Sequence, residues 1–105
     1  MPYQRLVTFY TRNERKMLHA QGIWVDRDGN QIPVRNMNGY RLEKLVRTLG
    51  RWAEKENNNL QYLSSHPIFA HVLLRIRETG LDNYYADMFL NAYYFNRQEN
   101  RIWQR

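Results

Sequence analysis

The stretch GYRLEKLVRTLGRWAEKE, residues 39–56, carries the strongest structural signal in the chain. Its apolar residues recur every three or four positions, and they fall within a sector of about 120° around a helix axis. This pattern predicts one helix from about Gly39 to Glu56, capped by Asn36 or Asn38, with Gly50 off the apolar face. The predicted buried face consists of Leu42, Leu45, Val46, Leu49, Trp52 and Ala53.

The opposite face of this predicted helix carries a basic row, which consists of Arg41, Lys44, Arg47, Arg51 and Lys55. Such a row is usually only the solvated side of a helix, but it can also follow the phosphates of a nucleic acid. Because the row has no Asn or Gln at a spacing that reads base edges, such an interface would contact the backbone first. These five residues are the predicted contacts for nucleic acid or for another acidic partner.

The residues before this helix predict a small β-hairpin. Two short apolar runs, residues 23–25 and 31–34, flank the loop formed by residues 26–30. The Asp-Gly step in the loop is a strong hairpin signal, because Gly adopts the positive φ that such turns need. Pro33 cannot donate a ladder hydrogen bond, so we expect the second strand to be very short or to lie at an edge.

Two aspartates in this loop, Asp26 and Asp28, raise the alternative of an acidic active site or a cation site. A calcium loop needs further oxygen ligands at fixed offsets, and only Asn30 follows here before an Ile-Pro step. A catalytic pair needs burial or a charged partner that tunes its pKa, and a hairpin tip supplies neither. Asp is also common in turns, where its side chain hydrogen-bonds the local backbone, so we predict a structural turn.

The other segments predict two more main helices and some shorter structure. Thr11 and Glu14 form a capping-box sequence that predicts a short helix through Gln21. Residues 57–65 are interpreted as a loop with room for one helical turn, and residues 3–10 fit either a strand or part of a longer helix. The two main helices are predicted to begin near Pro67 and, capped by Asp82, at residue 83.

The last of these helices, NYYADMFLNAYYFN at residues 83–96, is apolar or aromatic on nearly every side and should be the most buried. Its rings fit either a packed core or a surface on which bases stack. Helical spacing favours a core made by Tyr85, Met88, Phe89 and Ala92, with Tyr84 and Tyr94 at its edge.

The predicted fold class is therefore α+β and mostly helical, with three main helices and a small β-hairpin in the N-terminal third. The chain has 105 residues, and it shows no repeat, Pro-rich linker or change of composition. A chain of this length supports one hydrophobic core, so we expect a single domain over residues 1–105.

Composition excludes several chemistries. The absence of cysteine excludes disulfides, thiolate metal sites and cysteine nucleophiles. His66 and His71 lie five residues apart, whereas two metal ligands on one helix face lie three or four apart. No phosphate-binding loop, dinucleotide-binding motif or serine-hydrolase motif occurs in the sequence. We therefore expect no enzyme, no cofactor and no bound metal, and we identify no small-molecule substrate.

Charge and hydropathy indicate the kind of partner and the compartment. The 16 Lys and Arg against 10 Asp and Glu give a net charge of +6, which favours an acidic partner such as DNA or RNA. The N-terminal residues MPYQRLVTFYTRNER lack the apolar core of a signal peptide, and no run is long enough to span a bilayer. We expect a cytoplasmic protein with no membrane partner.

A longer motif runs through the hairpin into the helix: W-x-x-x-D-G-x-x-I-P-V-x-x-M-x-x-x-x-L, formed by Trp24, Asp28, Gly29, Ile32, Pro33, Val34, Met37 and Leu42. It resembles a motif of short hypothetical proteins that phages and prophages encode. Those proteins often have a His just before the last Leu and an Asn two residues after it, where this chain has Arg41 and Lys44. The group has no assigned activity, so the resemblance implies a phage setting, in the cytoplasm of a host cell, and nothing catalytic.

Two functions follow as expectations. The first is a small non-catalytic phage accessory protein that binds a host protein, as an inhibitor of a host or defence system does, or that associates with itself. The second is a nucleic-acid-binding protein that uses the basic face of the helix at residues 39–56. A continuous positive surface favours the second function, whereas an exposed patch of Tyr and Trp favours the first.

Overall fold

The computed structural model describes residues 10–103 of the chain, and it describes the side chains of residues 10–97. In chain order its elements are α1 (Arg12–Ala20), β1 (Ile23–Val25), β2 (Gln31–Pro33), a 3-10 turn (Val34–Asn36), α2 (Gly39–Glu54), α3 (Asn59–Ser65), α4 (Phe69–Thr79) and α5 (Tyr84–Trp103). The mostly helical class with a small hairpin is confirmed. The count of three main helices was wrong, because residues 10–103 contain five α-helices.

Local capping explains the first of the two additional helices. The Thr11 hydroxyl accepts a hydrogen bond from the Glu14 N–H, and the Glu14 carboxylate accepts one from the Thr11 N–H. These reciprocal bonds satisfy two of the free donors at the start of α1. The helix then ends at Ala20, before Gly22 adopts a φ of 85°. The short helix predicted from the capping box is therefore confirmed, although it was not counted among the main helices.

Helix α3 lies in the segment interpreted as a loop with room for one helical turn, and it is longer than that single turn because it spans seven residues. The Asn58 side chain caps the helix by accepting a hydrogen bond from the Gln61 N–H at 3.1 Å. Leu63 is buried in the core, and Leu60 and Tyr62 pack against it. The helix has only seven residues, so its apolar spacing is too short to be distinguished from a loop. Tertiary burial stabilises it, since isolated helices of this length are unstable in water.

The hairpin has the predicted position and turn. Ile23, Trp24 and Val25 pair antiparallel with Pro33, Ile32 and Gln31, respectively. Gly29 adopts a φ of 85°, which the Asp-Gly turn requires. Both strands have three residues, as expected for a strand that ends in proline.

Helix α2 runs from Gly39 to Glu54, two residues shorter than predicted, and Asn38 caps it by accepting a hydrogen bond from the Arg41 N–H at 2.9 Å. The predicted apolar face is buried, apart from Trp52, which is 42% exposed. Trp52 lies at the edge of the apolar sector, and the neighbouring elements of the fold cover its side chain only in part. The expectation that Gly50 lies off the buried face was also wrong, because Gly50 is buried against the ring of Tyr85.

Helices α4 and α5 complete the core. The Ile68 N–H donates to His66 Nδ1, and α4 then begins at Phe69 and ends at Thr79, before Gly80, which has a φ of 71°. The predicted cap of the last helix was wrong by one residue, since the side chain of Asn83 rather than Asp82 accepts the Ala86 N–H. Asn83 thereby satisfies a donor that α5 leaves free at its start.

Helix α5 packs against α2, α3 and α4, so it is the central helix of the core. Phe89 of α5 stacks on Phe69 of α4 with their rings 5.6 Å apart, and Met88 and Ala92 are buried beside it, as predicted. Tyr85 is only partly buried. None of the helices within residues 10–103 is both long enough and apolar enough to cross a bilayer.

Candidate nucleic-acid interface

Helix α2 displays the basic row on its exposed side. Arg41, Lys44, Arg47 and Arg51 lie within the helix, Lys55 is its C-terminal cap residue, and all five are exposed. The helix brings them together simply because they recur every three or four residues along one face.

Of the two acidic residues that flank the row, Glu43 pairs with one of its cations and Glu54 pairs with a tyrosine. Glu43 accepts a hydrogen bond from Arg47 at 3.1 Å, which forms an ion pair one helical turn apart. Glu54 accepts a hydrogen bond from the hydroxyl of Tyr85 at 3.0 Å. Among the residues whose side chains are described, no carboxylate lies within ion-pair distance of the other four cations of the row. Their positive charge is therefore not neutralised by a direct contact.

A groove separates α2 from the hairpin, and we call it the hairpin groove. It consists of two depressions of about 320 Å³ and about 750 Å³. Both are lined by Trp24, Asp26, Lys44 and Thr48, so they adjoin each other along α2. The first depression extends to Tyr40 and Arg41, and the second extends to Trp52 and to α1. Two members of the basic row, Arg41 and Lys44, therefore line the groove.

Aromatic rings line both depressions of the hairpin groove. Trp24 stacks on His19 of α1, with ring centroids 5.0 Å apart and planes 12° apart. Trp52 of α2 lies 6.2 Å from Trp24 at an angle of 41°. The apolar pattern of α2 predicted that Trp52 is buried. The one sequence feature that indicated otherwise is the position of Trp52 at the edge of the apolar sector.

Further cations line the groove from elements other than α2. Arg15 of α1 and Arg27 of the hairpin loop belong to the same depression as Lys44. Lys44 also lies 5.3 Å above the ring of Tyr40, which is 69% exposed. Arg15 and Arg27 were missed as site residues, because nothing in a linear sequence shows that α1 and the loop meet α2. Asp26 and Asp28 line the same depression and offset part of its positive charge.

Of the two aspartates in the hairpin loop, Asp26 is the one whose carboxylate accepts hydrogen bonds within the turn. One Asp26 oxygen accepts from the N–H groups of Asp28 and Asn30, both at 2.9 Å, and the other accepts from the Asn30 side chain. Burial acts to raise the pKa of Asp26, but the bonds from Asn30, Asp28 and Gly29 lower it below its ordinary value. The carboxylate of Asp26 thus stabilises the turn, as predicted, and stays ionised.

Two histidines meet beside the groove, which their separation in the sequence did not indicate. The rings of His19 and His66 are 5.6 Å apart. Burial, and then the nearby His19, lowers the pKa of His66 to about 4. Burial, and then Arg15, lowers the pKa of His19, whose Nε2 is buried and has no hydrogen-bond partner among the described side chains. Both rings are therefore neutral near pH 7.

The third histidine, His71, is separate from this pair and donates a hydrogen bond from Nε2 to the carbonyl oxygen of Ala20 at 2.9 Å. No group of three or more His, Cys, Asp or Glu side chains within the described part of the chain has the geometry to hold a metal ion. The groove is thus characterised by its aromatic rings and its cations.

Comparison with protein-family models, with curated proteins and with solved structures finds no match for this chain. The function is therefore argued from the geometry and charge of its own residues.

Proposed function

We propose that the protein is a non-catalytic nucleic-acid-binding protein, and that the basic row on α2 contacts the phosphate backbone. The observation that carries this proposal is the set of four exposed cations without an ion-pair partner among the described side chains: Arg41, Lys44, Arg51 and Lys55. Arg15 and Arg27 extend the positive surface across the hairpin groove. Unpaired surface cations bind a polyanion by releasing its condensed counterions, and this gain does not depend on base sequence.

The chemistry of the row favours phosphates over bases. Arg and Lys donate to phosphate oxygens in many orientations, whereas reading a base edge requires a fixed geometry. Binding should consequently weaken steeply as the salt concentration rises, by roughly 0.7 to 0.9 logarithmic units in affinity per tenfold change of salt for each phosphate contact.

The test is a double charge reversal, Lys44→Glu with Arg51→Glu, measured by fluorescence anisotropy with labelled DNA and RNA at low salt. We expect affinity to fall about 10-fold or more, and the slope against salt to decrease by roughly one to two contacts. These positions are preferable to Arg47, whose reversal would also break its ion pair with Glu43.

The matched control is Arg35→Glu with Arg77→Glu, which changes the net charge by the same amount at exposed positions that do not line the hairpin groove. Equal weakening by both double variants would show that net charge alone attracts the nucleic acid. Absence of any binding at low salt would overturn the proposal.

Two exposed tyrosines on α5 support protein binding as a second candidate function. Tyr84 and Tyr94 are 66% and 55% exposed on this helix, and tyrosine is enriched in protein interfaces. In this alternative the chain is a phage accessory protein in the host cytoplasm that binds a host protein or associates with itself, in keeping with the phage motif. Sedimentation of the wild-type chain and of Tyr84→Ala with Tyr94→Ala tests self-association, which the double variant should reduce while Trp52→Ala should not.

A further inference from the structure

The hairpin groove is long enough to hold several units of a polymer. It follows α2 from Tyr40 to Trp52, which corresponds to roughly 18 Å at a rise of about 1.5 Å per residue. Lys44 lines both of its depressions and so lies along the middle of the path. An extended chain lying in the groove would therefore pass Lys44 and reach an aromatic ring at each end.

The two indole rings of the groove differ in how they are held and in how far they are exposed. Trp24 is backed by His19, whose nearly parallel ring at 5.0 Å limits its rotation. Trp52 is tilted by 41° from Trp24, and it remains partly open to solvent. Trp52 is therefore the ring that is open to a stacking ligand, and Trp24 is a restricted aromatic neighbour beside it.

The charges around these rings suit a ligand that is both anionic and aromatic. Arg15, Arg27, Arg41 and Lys44 line the groove with the rings, so an anionic backbone and a planar group can be contacted at the same time. Aromatic stacking combined with backbone contacts to cations is the usual mode of binding to single-stranded nucleic acid. In a duplex, each base face is covered by the neighbouring base pair, so these rings have no access to it.

We propose that the hairpin groove binds unpaired nucleotides, with a base stacked on Trp52 and the backbone held by Lys44 and by the arginines around it. This inference rests on the proposed nucleic-acid-binding function and specifies its ligand as single-stranded. Asp26 and Asp28 lie in the same depression and repel phosphate, so the backbone passes on the side of Lys44.

The experiment compares a labelled oligothymidylate with a duplex of equal length. A length of about 12 nucleotides is chosen because it lies within the range of site sizes of single-strand-binding domains. Anisotropy is measured at low salt for the wild type, Trp52→Ala and Trp52→Phe. We expect the single strand to bind at least about 10-fold more tightly than the duplex. Trp52→Ala should weaken single-strand binding by about 10-fold and leave duplex binding unchanged, whereas Trp52→Phe should retain most of the affinity because a ring remains.

Tyr84→Ala is the matched control, because it removes an exposed aromatic ring from α5, and Tyr84 does not line the groove. It should leave both affinities unchanged. Trp52 is already partly exposed, so its truncation should leave the chain folded, and urea unfolding of each variant verifies this.

The outcomes separate this inference from the proposed function. If single strand and duplex bind equally and Trp52→Ala changes neither, while Lys44→Glu with Arg51→Glu weakens both, the single-strand inference is overturned and the proposed function stands. If neither nucleic acid binds at low salt, the proposed function is overturned, and the inference fails with it. If polyglutamate displaces the oligothymidylate at equal charge, and its own binding also depends on Trp52, the groove takes an acidic peptide and the inference is overturned.

Discussion

The two sides of α2 contrast in how their neighbours cover them. On one side, Leu42, Val46 and Leu49 are fully enclosed by the other helices, and Gly50 allows α5 to approach closely. On the other side, the hairpin covers the helix only in part and leaves Trp52 at the edge of a groove. The first side has the close packing of a protein core, and the second has the partial burial and mixed polarity of a binding surface.

This contrast shows what a pattern of residues can determine. A helix covered by other helices needs apolar residues at a fixed spacing, so its buried face can be predicted from the sequence. A helix edge that meets a short hairpin has no such requirement, because coverage depends on where the hairpin lies. The same residue type, a large apolar ring, therefore belongs to the core at one position and to the surface at another.

The largest expected effect on stability is that of Gly50→Ala, on the enclosed side of α2. A Cβ at this position would overlap the ring of Tyr85 and would lie 2.8 Å from its Cγ, close to the rigid base of the side chain. We expect a loss of about 1–3 kcal/mol in the free energy of unfolding, measured with urea, because helix α5 must shift.

Gly39→Ala is the control for this change, since no atom lies within 4 Å of a Cβ built there. It should leave stability unchanged or raise it by up to about 1 kcal/mol. Equal effects of the two substitutions would show that the contact between Gly50 and Tyr85 does not limit the packing of α2 on α5.

A smaller effect concerns the rings beside the hairpin groove, and it depends on pH. The pKa of His66 is about 4 in the folded chain, against an ordinary value of 6.5, so only the unfolded chain binds a proton here between these values. Stability should therefore be fully present above about pH 6.5 and should decrease as the pH falls towards 4. Because the ring is partly exposed and solvent screens it, we expect a loss of about 1–2 kcal/mol.

Urea unfolding at about pH 7.5 and about pH 4.5 measures this loss, and His66→Gln removes the titrating ring. The variant should lose about 1–2 kcal/mol less than the wild type over this interval, since the carboxylates titrate in both. If the free energy of unfolding fell equally in the wild type and in His66→Gln, the lowered pKa of His66 would not be the cause of the pH dependence.

The smallest effect concerns the turn that forms the outer wall of the groove. Asp26→Ala removes the acceptor of three hydrogen bonds and should lower the free energy of unfolding by about 1 kcal/mol. Asp28→Ala retains the N–H that donates to Asp26, so we expect a change within about 0.5 kcal/mol. Thermal unfolding of the two variants distinguishes them, and a larger effect of Asp28→Ala would contradict the assigned turn.

Much of the fold could be predicted because its signals are local. The capping box of Thr11 and Glu14, the turn at Gly29 and the apolar face of α2 each depend on residues close together in the chain. Helix α3 could not be predicted in the same way, because a short helix is stabilised mainly by the core that receives Leu63.

The candidate site was only half predictable for the same physical reason. The basic row lies on one helix, so its spacing alone predicted its exposed face. The rings and the two arginines that complete the hairpin groove come from α1, the hairpin loop and the far end of α2. Their meeting depends on how these elements pack, which no residue spacing encodes.

Helix α1 contains no buried residue, yet it supplies Arg15 and His19 to the hairpin groove. Its position depends on the stacking of His19 on Trp24 and on the bond from His71 to the carbonyl oxygen of Ala20. An element with so little buried surface opens by local fluctuation at low free-energy cost, and its amide protons exchange with solvent early. One wall of the groove should thus open more readily than the helices that line the core, and a ligand that contacts this wall should slow hydrogen exchange in α1.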